Sequence, residues 1–297
     1  MEIRKVCVLG AGIMGAGIAQ VVAEANCEVT IRDIEDRYVE NGLAGIRKNL
    51  DRAVAKGKME RVIADATLER IKGTVDLKMA AADCDLVIEA IVELMSLKRD
   101  VYREMDAICR PETIFASNTS GLSITEMAAV TKRPEKFIGI HFFNPVPVMK
   151  LVELIRGFLT ADSTFQAASA FVQRIGKTPV EVKEAPGFAV NRILCPMINE
   201  AIFAFADGVA SAEDVDRAMM LGANHPVGPL ALADMVGLDT LLLVMEGLQH
   251  EFGDDKYRPA PLLRKMVRAG YLGRKSAKGF YDYSAQSGAV GHHGPLR

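Results

Sequence analysis

Residues 10–15 read Gly-Ala-Gly-Ile-Met-Gly, and no other stretch restricts what this chain can fold into as strongly. Three glycines at this spacing let a backbone turn sharply, lie close to an anion and pack a helix tightly on a strand. Glycine-rich loops are common, so the flanks carry the argument. Val6-Cys7-Val8-Leu9 is an apolar run of strand length, and residues 13–25 place Met14, Ile18, Val21, Val22 and Ala25 at helical spacing. Strand, glycine turn and helix start together present unpaired N–H groups to a phosphate. The expected ligand is a dinucleotide.

A second strand is expected over residues 28–31. Asp33 at its end lies 18 residues after Gly15, near the place, roughly 20 residues on, where an acid binds the adenine ribose. A carboxylate there repels a 2′-phosphate, which favours NAD over NADP. Arg32 pulls the other way, because an arginine at this point serves a 2′-phosphate. Strand neighbours face opposite sides, so one of the two meets the ribose, and Asp33 is preferred. Taken alone, Asp33 is equally well explained as a cap on the next helix.

Residues 35–72 hold two charged amphipathic helical stretches broken near Lys56-Gly57-Lys58. The segment is longer than an ordinary crossover and reads as an added helical hairpin. Further strands are expected at 86–88, 113–116, 137–140, 150–155 and 180–182, several separated by helical windows. Such alternation predicts a mainly parallel sheet covered on both faces, an α/β fold of the Rossmann type. At Ala185-Pro186-Gly187 the pattern changes, and helical windows follow near 188–207, 211–221, 229–236, 238–252 and 260–269. The expected domains are 1–185, dinucleotide-binding, and 186–297, all-α. The second is short but rich in apolar residues, including Leu230, Leu232, Met235, Leu238, Leu241, Leu242, Leu243, Val244 and Met245. One thin helical layer does not readily bury them all, so a dimer through this domain is expected. The Gly-rich tail with His292-His293 is read as inert and disordered.

The net charge of −2 provides no basic field to hold nucleic acid. The five cysteines are odd in number and lack CxxC spacing, which fits a reducing compartment. The first residues lead straight into a strand, and no apolar run reaches the ~20 residues that span a bilayer. The expectation is a cytoplasmic protein without membrane contact. No HxH or His/Cys cluster occurs in the part expected to be ordered, so a metal enzyme is not expected.

Among five histidines, His141 stands apart because it ends the expected strand 137–140, and open α/β sheets bind ligands at the carboxyl ends of strands. Spacing alone leaves a structural histidine as the commoner explanation. The wording around it points elsewhere. Ser117-Asn118-Thr119-Ser120, the run from His141-Phe142-Phe143-Asn144-Pro145 through Val152-Glu153, Pro186-Gly187-Phe188-Ala189-Val190-Asn191-Arg192, and His225-Pro226 with Gly228-Pro229-Leu230 closely resemble the 3-hydroxyacyl-CoA dehydrogenase family. The resemblance runs from Lys5 to Tyr283, and among members it is nearest to the bacterial 3-hydroxybutyryl-CoA dehydrogenases.

The resemblance implies interconversion of a short 3-hydroxyacyl-CoA and its 3-ketoacyl-CoA with NAD, a role in fatty-acid and butyrate metabolism, and a homodimer or dimer-based oligomer. It implies His141 as acid and base, Glu153 as its partner, and Ser120 and Asn191 as substrate hydrogen-bonding groups. Gly10, Gly12, Ile13, Met14, Gly15 and Asp33 would hold the nucleotide half of NAD. Glu93, Lys98, Asn118, Ser120, Asn144 and Lys275 would line the ribose and nicotinamide side, and Asn49 and Lys56 would reach the CoA moiety. Without the family, Lys56, Glu93 and Lys98 pass as surface charges. The chain departs from the usual pattern at Gly121, where a serine is common, at Asn49, where some members have serine, and slightly at Ala277-Lys278-Gly279. Two rival readings share the architecture: a dehydrogenase of free hydroxy or sugar acids, and a non-catalytic NAD-binding protein. The hairpin with Lys56 argues against the first, and the paired His141 and Glu153 against the second.

Overall fold

Alternation along the first strand shows how the first unit is built. In β1 (Lys5–Leu9), Val6 and Val8 enter one apolar cluster, while Cys7 and Leu9 enter another. A sheet buried on both faces needs helices on both sides. In order the chain supplies α1 (Ile13–Glu24), β2 (Glu28–Arg32), α2 (Asp36–Ala55), α3 (Arg61–Glu69), β3 (Ile71–Thr74), α4 (Leu77–Ala81), β4 (Leu86–Glu89), α5 (Met95–Ile108), β5 (Ile114–Ser117), α6 (Ile124–Ala128), β6 (Phe137–Phe142), β7 (Leu151–Arg156), α7 (Asp162–Arg174) and β8 (Thr178–Lys183). Helices α1, α2, α3 and α7 pack into the first cluster, and α4, α5 and α6 into the second. The computed structural model describes residues 2–284; the His292-His293 pair lies outside them.

Among the described residues the sheet has eight strands in the order β3-β2-β1-β4-β5-β6-β7-β8. Strand order runs outward from β1 to β3, then returns to the other side of β1 with β4. The switch point, where open sheets of this kind receive ligands, therefore lies beyond the carboxyl ends of β1 and β4. All pairings are parallel except β6 with β7. Residues 143–150 between them are too few for a crossover helix, so the chain reverses instead.

Phase along the strands also decides where the polar residues point. Ile88, Ala116, Ile140 and Val152 belong to the first cluster. Glu89, Ser117, His141 and Glu153, each one residue further on, consequently face the side carrying α4, α5 and α6.

The expected helical hairpin is present as α2 and α3 within the β2–β3 crossover. Gly57 turns the chain after α2 with φ +65°, and the Lys58 N–H reaches back to the Ala53 carbonyl, the 6→1 bond of a Schellman end. Residues 71 and 72, read as helical from the sequence, instead begin β3. This strand is Ile-Lys-Gly-Thr with one buried residue, too short and polar to show a period-2 pattern.

The chain divides into two compact units between Phe188 and Ala189. The second contains α8 (Val190–Ala206), α9 (Ala212–Gly222), α10 (Pro229–Val236), α11 (Leu238–Phe252) and α12 (Pro261–Arg268), with α8 packed against each of the others. Two buried acids tie it together. Asp216 of α9 accepts the Leu230 and Ala231 N–H groups at the start of α10 and the Tyr281 hydroxyl. Asp234 of α10 accepts the Phe280 and Tyr281 N–H groups and the Tyr283 hydroxyl. Leu230, Leu238, Leu241 and Met245 fill this unit's own core, whereas Met235 and Leu243 are exposed. Less of the apolar stretch therefore needs a partner than the sequence suggested. Among the described residues no helix is long and apolar enough to cross a membrane.

The glycine loop yields a contrast that separates folding from binding. A Cβ on Gly15 would sit 1.8 Å from the Gly10 carbonyl oxygen, while one on Gly12 meets nothing within 4 Å. Gly15→Ala is expected to lose ~1–3 kcal/mol of stability, the usual range for overpacking, and to bind NADH poorly. Gly12→Ala is expected to keep the wild-type Tm yet weaken NADH, because its methyl fills the space through which a pyrophosphate approaches the backbone. Thermal unfolding and NADH titration of both variants check this; wild-type NADH affinity in Gly12→Ala would remove the loop from binding.

Candidate active site

Antiparallel register places His141 of β6 directly opposite Glu153 of β7. Directly opposed residues on one face have Cβ atoms about 4.5–5.5 Å apart, close enough for the side chains to meet. His141 Nδ1 lies 2.8 Å from Glu153 Oε2, and the residues are 4% and 1% exposed. A carboxylate only accepts, so it selects the tautomer with hydrogen on Nδ1 and leaves the Nε2 lone pair to act as an acceptor. The ring is hemmed in by Phe143 and Phe188, with centroids 4.5 and 5.6 Å away.

His141 lies inside β6 rather than just after it, because pairing with β7 continues to Phe142↔Val152. On the other edge, Asn118 Oδ1 accepts the Phe142 N–H at 2.8 Å. The side chain of Asn118 thus extends the β5–β6 ladder past its last backbone pair, Ser117↔Gly139, and steadies the backbone that carries His141.

Beside this pair, the loop after β5 is held by a cluster of charges. Lys98 of α5 is 1% exposed, so it is not the surface charge its sequence context suggests. Its ammonium lies 2.6 Å from Glu89 Oε1 and 3.0 Å from Glu93 Oε2. Glu93 in turn accepts the Ser120 N–H at 3.0 Å and the Thr119 hydroxyl. Glu89 also accepts the Ser117 hydroxyl at 2.7 Å. Burial, reinforced by the Glu89 carboxylate, pushes the Tyr102 hydroxyl well above its usual pKa, so it persists as a donor to the Ala116 carbonyl at 3.0 Å. Gly121 follows Ser120 with nothing within 4 Å of an added Cβ, so the serine usual in the resembled family would fit there.

The glycine loop fits a dinucleotide on its own geometry. Gly10 turns with φ +96°, and a Cβ there would lie 2.4 Å from the Ala90 carbonyl oxygen, so β1 and β4 approach as only glycine allows. Gly12 faces open space, the exposed Ile13 and half-buried Met14 open α1, and its first N–H groups are available to an anion. Asp33 Oδ2 accepts the Ala11 N–H at 2.7 Å, and Oδ1 accepts the Ile34 N–H at 2.7 Å. It does not cap the next helix, whose N-cap is Glu35. Arg32 turns away and donates from Nε to the Val75 carbonyl at 3.1 Å. Of the two candidates, Asp33 is the one at the glycine loop.

The remaining residues singled out from the sequence fall in both units and are placed each within its own. Asn49 and Lys56 are exposed near the end of α2, and Asn144 is exposed in the turn after β6. In the second unit, Asn191 is in the first turn of α8, and Lys275 Nζ lies 2.5 Å from Asp239 Oδ1. Sequence reading missed Phe188, Glu89 and Ser117. The Pro186-Gly187 pair hinted at a special turn before Phe188, which has φ +53°; a charge and a hydroxyl ending apolar strands were the available signs for Glu89 and Ser117.

Residues 5–185 match the family described as "3-hydroxyacyl-CoA dehydrogenase, NAD binding domain", and residues 187–283 match "3-hydroxyacyl-CoA dehydrogenase, C-terminal domain". The chain is 52% identical over 287 residues to the probable 3-hydroxybutyryl-CoA dehydrogenase of Bacillus subtilis, covering 97% of this chain and 100% of that one. It is 42% identical over 288 residues to human mitochondrial hydroxyacyl-coenzyme A dehydrogenase, covering 95% of this chain and 91% of that one. The crystal structure of the (S)-3-hydroxybutyryl-CoA dehydrogenase PaaH1 from Ralstonia eutropha is similar with a TM-score of 0.92 at 53% identity, over 95% of this chain and 100% of that one.

The placement of Asp33 and Arg32 makes a cofactor test. NADH is expected to give the higher kcat/KM, and Asp33→Ala to narrow the gap to NADPH by removing repulsion of the 2′-phosphate. Steady-state kinetics with both cofactors measure it; a wild-type preference for NADPH would hand control of the pocket to Arg32.

Proposed function

Because the chain belongs to the 3-hydroxyacyl-CoA dehydrogenase family, we propose that it interconverts (S)-3-hydroxybutyryl-CoA and acetoacetyl-CoA with NAD, using His141 and Glu153 as the proton-transfer pair. The observation that carries this reading is the buried 2.8 Å contact between His141 Nδ1 and Glu153 Oε2. The names of relatives such as the 52% identical 3-hydroxybutyryl-CoA dehydrogenase of Clostridioides difficile support the substrate.

When bound, NAD supplies the hydride acceptor for oxidation, and NADH the donor for reduction. His141 Nε2 takes the proton of the 3-hydroxyl in one direction and returns it to the carbonyl oxygen in the other. Glu153 keeps the ring in the tautomer that exposes Nε2 and stabilises the imidazolium once it forms. Phe143 and Phe188 exclude water from the ring, which strengthens that ion pair. Ser120 and Asn191 hydrogen-bond the substrate near the reacting carbon and the thioester. The Gly10–Gly15 loop, Ile13, Met14 and Asp33 hold the nucleotide, with Glu93, Lys98, Asn118, Asn144 and Lys275 on the ribose and nicotinamide side. Asn49 on α2 and Lys56 at its C-terminal cap, seven residues on and so near the same side of the helix, receive the CoA moiety, Lys56 as a point charge for phosphate.

The helical domain read from the sequence as starting at residue 186 serves substrate binding and dimerisation, with the exposed Met235 and Leu243 as candidate contacts. The protein is assigned to the cytoplasm; its five cysteines are free and buried, as suits a reducing compartment. Light scattering at micromolar concentration is expected to give at least a dimer mass, and a monomer mass would overturn that part.

Exchange of the paired residues tests the chemistry. His141→Gln keeps a polar shape but cannot carry the proton, and is expected to lower kcat by ~10²–10⁴ with NADH affinity nearly unchanged. Glu153→Gln is expected to lower kcat as well, and the double variant to lose less than the two effects combined. Near-wild-type kcat in His141→Gln, measured with acetoacetyl-CoA and NADH, would return His141 to a structural role. Comparable turnover of free hydroxy acids would remove the CoA assignment.

A further inference from the structure

Glu89 is 0% exposed at the end of β4, and none of the roles proposed above uses it. A carboxylate in such a place is tolerated only when fully partnered. It accepts the Ile91 N–H at 2.9 Å and lies 3.4 Å from the Tyr102 hydroxyl, and its two other partners, Lys98 and Ser117, lead toward one loop. We infer that Glu89 is a positioning residue that sets the conformation of residues 118–122, and through it the place of Ser120. This rests on the reading in which Ser120 hydrogen-bonds the substrate.

Two routes connect Glu89 to that loop. Along the first, Glu89 Oε1 holds the Lys98 ammonium at 2.6 Å, and the ammonium reaches Glu93 Oε2 at 3.0 Å. The other oxygen of Glu93 accepts the Ser120 N–H at 3.0 Å and the Thr119 hydroxyl. Along the second, Glu89 Oε2 accepts the Ser117 hydroxyl at 2.7 Å, and Ser117 Oγ accepts the Thr119 N–H at 3.2 Å. Thr119 Oγ1 then accepts the Leu122 and Gly121 N–H groups at 2.9 and 3.3 Å. Both routes therefore converge on the backbone around Ser120. Leu122 anchors the end of the loop against the second apolar cluster, but Gly121 is exposed with open space around an added Cβ, so next to Ser120 hydrogen bonds and charge contribute more than packing.

The balance of charge makes the device sensitive. One ammonium is shared between two carboxylates. If Glu89 is made neutral, the buried Lys98 ammonium is left with the partly solvated Glu93 as its one carboxylate partner among these two. Glu93 is then drawn toward Lys98 and away from the Thr119 hydroxyl and the Ser120 N–H. Ser117→Ala cuts the second route while leaving every charge in place.

The test places Glu89→Gln and Ser117→Ala in the wild-type chain and in a Ser120→Ala background, with kcat on acetoacetyl-CoA and NADH and the Tm of each. In the wild-type chain we expect kcat to fall about 10-fold for Glu89→Gln and about 3-fold for Ser117→Ala, since a small misplacement of a reacting group is enough. In the Ser120→Ala background each should change kcat by less than about 2-fold, because residues acting through one group do not add. Equal losses in both backgrounds, or a kcat that falls only as the folded fraction falls, would overturn the inference. Should Glu89→Gln not fold, Ser117→Ala decides by the same comparison. No turnover by the wild-type chain would overturn the underlying reading and this inference together, whereas wild-type turnover with unchanged variants would overturn this inference alone.

Discussion

Where helices cover both faces of the sheet, the central strands β4, β5 and β6 carry no charged side chain before their carboxyl ends. That constraint organises the whole site. The strands are apolar through Ile88, Ala116 and Ile140, and the next residue in each case is Glu89, Ser117 or His141. Strand phase sends all three toward the same face. Polar groups concentrated there are buried, so each must find a partner: Glu89 meets Ser117 and Lys98 of α5, and His141 meets Glu153 of β7.

The reversal between β6 and β7 adds what a purely parallel sheet could not. Parallel pairing aligns residues in staggered, slanted ladders, whereas antiparallel pairing sets His141 squarely opposite Glu153. The contact needs no long side chain and no flexible loop, because two strand backbones hold both ends. Asn118 secures the other edge of the same strand by accepting the Phe142 N–H. The His141 ring is thus fixed from both edges of its strand, the kind of support that the proposed proton transfer requires.

Charge is handled differently in the two units. In the first, the buried Lys98 answers two acids, the buried Glu89 and the more exposed Glu93, and Arg133 pairs with Asp106. The second satisfies the buried Asp216 and Asp234 with backbone N–H groups and tyrosine hydroxyls. There burial pushes the Asp234 carboxyl up, against the hydrogen bonds that pull it down. Gly228 and Gly279 press so closely on these acids that a Cβ would lie 2.2 and 1.9 Å from them, which ties the sequence after α12 to the middle of the helical unit.

The sequence by itself determined the α/β class, the glycine loop, the hairpin of α2 and α3 and the helical second half, because each depends on local periodicity and on glycine and proline. It also marked Asp33, His141 and Glu153 by position and wording. Its edges were less legible: β3 carries one buried residue in four, so nothing in its pattern separates it from the helix before it. Only the tertiary structure decided that Arg32 turns to the Val75 carbonyl while Asp33 holds the glycine loop, that Lys98 is buried rather than solvated, and that Phe188, Glu89 and Ser117 join the site. The reason is physical: whether a charge is exposed, or which way neighbouring side chains turn, is set by groups tens of residues away that burial brings together, and no local period records them.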